Sequence, residues 1–266
     1  MEGVQWVFHV AAVSDYWRND PERIYAVNVD GTRNVLKAAE AAGVERVIFT
    51  SSAAAVGYQD NLHAVDETVL FNWRPRLTPY GHSKFLAEAE VFRAIRRGLD
   101  CVIMNPAVII GPGDLNQISS SVVLEMARGN VPPTIPAGGV TIIDVRDVAA
   151  AHVNAAERGR TGERYLLGSV NLTHRAWTRL IGHTLGQGHV PAVKIPGWVV
   201  YIIAPIADGL RMLKLPVPIE GNQLRLSTRD MFYNAQKSWR ELGEPQITIR
   251  QSLQDTYEWY KAHGDL

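Results

Sequence analysis

Three short runs of the chain are almost continuously apolar: Val4 to Ala12, Val44 to Ser52, and Asp100 to Pro106. Strands buried on both faces of a sheet read this way, because neither face meets water. Between them the pattern turns helical. Ile24, Val27, Val35, Leu36 and Ala39 recur along Pro21 to Ala42, and Phe85, Leu86, Ala89, Phe92 and Ile95 along Pro79 to Arg97. Gly43 and Gly98 stand where these two helices should stop. Strand and helix alternating in this order predict parallel strands joined by right-handed crossovers, an α/β fold with a doubly wound parallel sheet.

After Gly111-Pro112-Gly113 the pattern loosens. It predicts a helix near Ser119 to Arg128, a Pro-rich loop at Val131-Pro132-Pro133, a strand around Val140 to Ile143, and an alanine-rich helix through Glu157 capped by Asp147. From Asn171 onward helices dominate, interrupted by Pro191, Pro196, Pro205, Pro216 and Pro218, and the chain closes with a helix at Ile249 to Tyr260. The expected organisation is a sheet domain over residues 1–165 and a smaller, mostly helical C-terminal lobe over 166–266. Ile195 to Ile206 is the most apolar later stretch. Pro196 and Pro205 break it, and it is shorter than the roughly 20 residues of a membrane span, so none is expected. The stripe Trp198, Val199, Ile202, Ile203, Ile206, Leu210 and Leu213 reads as packing inside the lobe, with a lid or a membrane-surface contact as the lesser alternative.

Charge narrows the partners. With 27 basic and 27 acidic residues the formal charge is zero, so no broad field concentrates nucleic acid or anionic lipid. A single cysteine, Cys101, excludes an internal disulfide and suits a reducing compartment, which makes the cytoplasm the expected location. The start Met1-Glu2-Gly3-Val4 lacks a secretory pattern. The eight histidines show no metal-ligand spacing, and no metal is expected.

Candidate chemistry centres on Thr78-Pro79-Tyr80-Gly81-His82-Ser83-Lys84. Thr78 suits an N-cap and Pro79 a first helical position, so Tyr80 and Lys84 fall one turn apart on one helix face. Bringing a tyrosine from a pKa near 10 to about 7 takes roughly 4 kcal/mol. One positive charge about 5 Å away supplies roughly 3 kcal/mol at an effective dielectric of about 20. A lysine alone falls short, and a second positive charge such as an oxidised nicotinamide ring closes the gap. A Tyr and a Lys at this spacing also occur on helices by chance. The second signal, Phe49-Thr50-Ser51-Ser52-Ala53, ends a buried strand, where open α/β sheets border their ligand crevice. Serines there are ordinary turn residues when taken alone. The conjunction of both signals with a strand ending Asn105-Pro106 is far rarer.

On Val7 to Ala12, Asn28 to Leu36, Phe49 to Ala53, Tyr80 to Glu88, Asn105 to Gly113 and Ile143 to Ala149, the chain resembles the extended short-chain dehydrogenases/reductases, the NAD-dependent epimerase/dehydratase family. Its flavour is similar to dihydroflavonol-reductase-like proteins and hopanoid-associated sugar epimerases. The resemblance implies a Rossmann-type sheet, NAD or NADP as cofactor, and hydride transfer at a CH–OH or carbonyl group. It makes Tyr80 the acid/base and Lys84 both its electrostatic helper and a ligand of the nicotinamide ribose. Ser52 becomes the hydroxyl that holds the reacting oxygen, with Ser51 the alternative. Ala11, Ala12 and Pro106 would lie beside the cofactor, and Asn28 would support structure.

The departure lies at the front. Family members open with a strand, a Gly-x-x-Gly-x-x-Gly turn and a helix that receives the pyrophosphate. This chain starts at what should be the fourth strand, so an N-terminally truncated sheet is expected, with Gln5 to Val10 an exposed edge and weak dinucleotide binding by these residues alone. A small-molecule substrate, bulky and partly apolar, is the expected partner, and a homodimer is compatible. The rival reading is a non-catalytic binding or regulatory protein on the same fold, or an inactive fragment of the enzyme.

Overall fold

The structure, a computed structural model, describes residues 1–14, 20–59, 63–130, 134–187, 193–194, 196–212 and 221–266. Strand β1 (Trp6–His9) leads into α1 (Pro21–Tyr25), a π-helical turn (Ala26–Asp30) and α2 (Gly31–Ala42). Next come β2 (Arg46–Thr50), a 3-10 turn (Ala53–Ala55), α3 (Pro79–Arg96) and β3 (Cys101–Pro106). They are followed by β4 (Val108–Ile110), α4 (Ser121–Ala127), β5 (Thr134–Ile135), β6 (Gly139–Asp144), α5 (Val145–Arg158), β7 (Arg164–Leu167), β8 (Val170–Thr173) and α6 (His174–Thr184). The remainder holds β9 (Val193–Lys194), α7 (Gly197–Met212), α8 (Gly221–Leu226), β10 (Asp230–Met231), α9 (Gln236–Leu242) and α10 (Ile249–Ala262).

The main sheet has the order β1-β2-β3-β7, parallel throughout. Alternate residues of each strand serve opposite faces. Val47, Phe49, Cys101 and Ile103 bury against α2 and α3, while Ile48, Val102 and Met104 bury against α5 and α9. Helices on both faces are what a doubly wound sheet requires, and they explain why these strands read as continuous apolar runs. Among the described residues only β2 is bonded to β1. On the same face of the sheet as Ile48, Trp6, Phe8 and Val10 remain 40%, 42% and 59% exposed.

A second sheet joins β10, β6 and β4 in parallel, with β8 antiparallel on β6. Its strands come from both sides of residue 165, which itself lies inside β7. Leu242 of α9 returns to the core of the main sheet. The C-terminal segment therefore wraps both sheets.

Four local expectations need correcting. The helix over 21–42 is interrupted by the π turn, which carries buried Asn28. The cap of α5 is Asp144, whose carboxylate takes the Arg146 N–H at 2.7 Å; Asp147 lies in the first turn and takes the Gln246 and Ile247 N–H groups. Pro205 does not end its helix but sits inside α7. The bond it forgoes belongs to the carbonyl of Tyr201, on an exposed side where water can solvate it. The apolar stripe of α7 also faces the other way from expectation. Trp198, Ile202 and Ile206 are 67%, 58% and 58% exposed, whereas Val200 and Ala204 are buried. Small inward side chains let the helix lie close, which turns the large ones outward. The loop at 131–133 and the side chains of Leu210 and Leu213 lie outside the described residues.

Candidate active site

The carboxyl ends of β1, β2 and β3 form one crest, and every expected site residue lies on it or on the helix beside it. Ala11 and Ala12 follow β1, exposed and half-buried respectively; Ser51 and Ser52 follow β2; Pro106 ends β3 and is buried opposite Leu167. Helix α3 starts as its sequence indicates. Thr78 accepts the Gly81 N–H at 3.2 Å, and Pro79 occupies the first turn. Gly81 allows a close approach there, because an added Cβ would stand 2.5 Å from the Ala54 carbonyl oxygen. That contact brings Tyr80 to the turn after β2.

Tyr80 and the Ser52 hydroxyl share a hydrogen bond. Burial pushes the phenol up from its usual range, and Ser52 opposes the shift. The Ser52 hydroxyl also caps the following turn, accepting the Ala54 N–H at 3.1 Å. Ser51 points elsewhere. It is buried and donates to Glu88 Oε1 at 2.5 Å.

Lys84, one turn beyond Tyr80, is 2% exposed. Its Nζ donates to the Thr50 carbonyl at 2.7 Å and lies 5.1 Å from the centre of the Phe49 ring. Burial pulls its pKa down to about 8, against the raising effect of Glu88. An ammonium carries three donors and Thr50 takes one, so the arrangement fits further acceptors such as ribose hydroxyls. Thr50 is itself held from the other face, where its hydroxyl donates to His152 Nε2 at 2.8 Å and His152 Nδ1 donates to the Val148 carbonyl at 2.8 Å.

Asn28 braces this corner. Its Oδ1 accepts the Val13 N–H at 2.8 Å, and its Nδ2 donates to the Val13 carbonyl at 3.0 Å and to Ser83 Oγ at 2.9 Å. The loop bearing Ala11 and Ala12 is thereby tied to α3 between Tyr80 and Lys84. The sequence had not singled out His9 for this corner. It is buried on β1, with Nε2 3.0 Å from Thr32 Oγ1, and burial with the nearby charge of Lys84 lowers its pKa to about 4. Nor had it singled out Glu88, whose carboxylate gathers Ser51, Asn105 and Arg164 beneath the crest. Its position one further turn along α3 from Lys84 is the signal that would have found it.

The C-terminal part reaches the crest over the loop after β2. Arg229 lies 5.4 Å from the Tyr58 ring, Tyr58 stacks on Trp73 at 4.0 Å, and Asn222 donates to the Arg76 carbonyl at 3.1 Å. A cavity of about 510 Å³ lies elsewhere, at the amino end of β7. Its lining charges Arg160, Glu163, Lys237 and Glu241 are paired with one another. Among the described residues no glycine-rich turn leads from a crest strand into a helix; Gly111 and Gly113 follow β4, and Gly186 follows α6.

The family model for the NAD dependent epimerase/dehydratase family matches residues 1–168. A protein of Synechocystis sp. bearing the name dihydroflavonol 4-reductase is 36% identical, over 99% of this chain and 78% of its own length. The sterol demethylase protein B of Methylococcus capsulatus is 30% identical, over 99% of this chain and 81% of its own. Among solved structures, that of gox2253 superposes with a TM-score of 0.85 at 34% identity, covering 100% of this chain and 81% of that one.

Proposed function

The chain belongs to the NAD dependent epimerase/dehydratase family of enzymes, and from that premise we propose that Tyr80 is the acid/base of an NAD(P)-dependent oxidoreductase acting on a CH–OH or carbonyl group. The observation that carries this reading is the hydrogen bond between Tyr80 and Ser52 at the crest, one helical turn from the buried Lys84. Nicotinamide, when bound, supplies the hydride donor or acceptor and, in its oxidised form, a positive charge. Tyr80, Lys84, Ala11, Ala12 and Pro106 are the residues that would hold its ribose end.

In the direction of reduction the Tyr80 hydroxyl gives its proton to the substrate oxygen; in oxidation the phenolate takes it. Ser52 donates to that same oxygen and holds it in line. Lys84 favours the phenolate, and its burial keeps this charge unscreened. Burial alone drives the Tyr80 phenol the wrong way for a base at neutral pH, which is why a neighbouring cation is needed.

The substrate reads as bulky and partly apolar, and the assignment as a reductase rather than an epimerase. Trp198, Tyr201, Ile202 and Ile206 stand exposed on α7, and Tyr201 connects through Arg229 to Tyr58 beside the crest. The relatives named for a flavonoid and for a sterol point the same way. A single cysteine, Cys101, buried in the core, suits a cytoplasmic setting.

Tyr80→Phe is the direct test. Turnover should fall about 10²–10⁴-fold, the usual worth of positioned acid/base catalysis. The cost in stability should stay near 1 kcal/mol, because the Ser52 hydroxyl keeps its bond to Ala54. Near-normal turnover by the folded variant would take the acid/base role away from Tyr80, whereas a folded wild-type chain without turnover favours the rival reading, a binding or regulatory protein on this fold.

A further inference from the structure

Tyr80, Lys84 and Glu88 occupy successive turns on one face of α3, and Glu88, like Lys84, is buried, 3% exposed. Its carboxylate joins three strand ends. Oε1 accepts from Ser51 Oγ of the β2 end at 2.5 Å and from Asn105 Nδ2 of β3 at 2.6 Å; Oε2 pairs with Arg164 Nε of β7 at 3.1 Å. The same Asn105 Nδ2 donates to the Ser52 carbonyl at 2.9 Å. The guanidinium of Arg164 is held in turn by the Glu67 carbonyl at 3.1 Å and the Ala55 carbonyl at 3.5 Å.

We propose that Glu88 is a positioning residue for the site: through Asn105 it fixes the backbone of Ser52, and through its charge it keeps the neighbouring Lys84 protonated. The role rests on the reading of Tyr80, Lys84 and Ser52 given above. Burial pushes the Glu88 carboxyl up from its usual range, and Arg164, Ser51, Asn105 and Lys84 oppose that shift; every group bonded to the carboxylate is a donor, which favours the ionised form. Its charged neighbours are Lys84 on its own helix and Arg164 from β7, while Ser51 and Asn105 from β2 and β3 are neutral. Beyond Lys84, the titratable groups are His9, which burial keeps neutral, and Tyr80. Burial pulls the Lys84 ammonium down and Glu88 pushes it back up. Arg164 moderates that effect, since it draws on the same carboxylate. The three charges sum to a single positive one, seated at Lys84.

Two substitutions should then move the Lys84 titration in opposite directions. Glu88→Gln keeps an acceptor for Ser51 and Asn105 but removes the charge, and should lower the Lys84 midpoint by about one unit, tenfold in proton affinity. Arg164→Met leaves Glu88 undivided for Lys84, and should raise it. Lysine labelled with ¹³C at Cε in the full chain reads both midpoints by NMR, with Lys84→Arg assigning the signal. Midpoints that stay put, or that move together, overturn the proposal, since a merely structural brace has no reason to give opposite signs. Should either variant fail to fold, the wild-type protein still decides. The Glu88 side-chain carboxyl carbon should be ionised at pH 7 and shift as Lys84 titrates, and a neutral Glu88 there overturns the proposal. Turnover is measured alongside. A wild-type chain that reduces no carbonyl substrate counts against the catalytic reading, and the titrations judge Glu88 by themselves.

Discussion

Replacing Lys84 with Met removes a buried charge while keeping an apolar stem of similar shape. Burial holds the ammonium down to about 8 from the usual 10.5. The folded protein therefore gives up this proton before the unfolded chain does. Between about pH 8 and 10.5 the unfolded state binds more protons, so stability rises with pH across that window and is lowest where Lys84 is charged in both states. The full difference corresponds to about 3 kcal/mol of destabilisation at neutral pH. Met relieves that cost but strands the Thr50 carbonyl, which takes Nζ at 2.7 Å. A buried acceptor without a partner costs about 1–3 kcal/mol, so the two effects nearly cancel at pH 7. The pH dependence does not cancel. Wild type should gain about 1.3 kcal/mol from pH 7 to pH 9, as the linkage relation gives for a midpoint near 8, and the variant should lack this gain. Cys101, whose thiol burial pushes up to about 12, opposes the gain above pH 9 because the unfolded thiol ionises first. It does so equally in both proteins, and the difference curve isolates Lys84. Urea titrations at pH 7, 8 and 9 measure it. Parallel curves for the two proteins would refute the reasoning.

The adjacent serines should separate by function. Ser52→Ala should cut turnover while costing about 1 kcal/mol for the lost cap on Ala54; Ser51→Ala should cost about 1–3 kcal/mol by removing a donor from buried Glu88, with the smaller effect on rate. Steady-state kinetics beside denaturation curves check both, and the opposite ranking in rate would transfer the role to Ser51. For His9, burial and Lys84 lower the pKa to about 4, so the folded state resists protonation and stability is lost as pH falls from 6.5 toward 4. His9→Gln should flatten that limb by up to about 3 kcal/mol, and unchanged acid unfolding would rule out His9 as a cause.

Much of the site was legible in the chain itself. The apolar runs at Val44 to Ser52 and Asp100 to Pro106 became β2 and β3, and Thr78 with Pro79 started α3 in the register that puts Tyr80 and Lys84 on one face. These features depend on pleat alternation and on bonds between residues up to four apart, which a linear pattern records. Other features depend on which distant segments meet. Two aspartates could cap α5, and Asp144 does so because Asp147 is drawn to the backbone of Gln246 and Ile247, a hundred residues away in sequence. Likewise α7 reads as an ordinary apolar helix, and only its close seating on Val200 and Ala204 turns Trp198 and Ile202 outward. Glu88 is one glutamate among the acidic residues until Ser51, Asn105 and Arg164 arrive from three strands. The sequence by itself determined β1, β2, β3 and β6, the helices between the first three, and the spacing of Tyr80 and Lys84. Tertiary structure decided which serine meets the tyrosine and what surrounds the lysine, because burial and the electrostatics it strengthens arise only when separate strand ends share one crest.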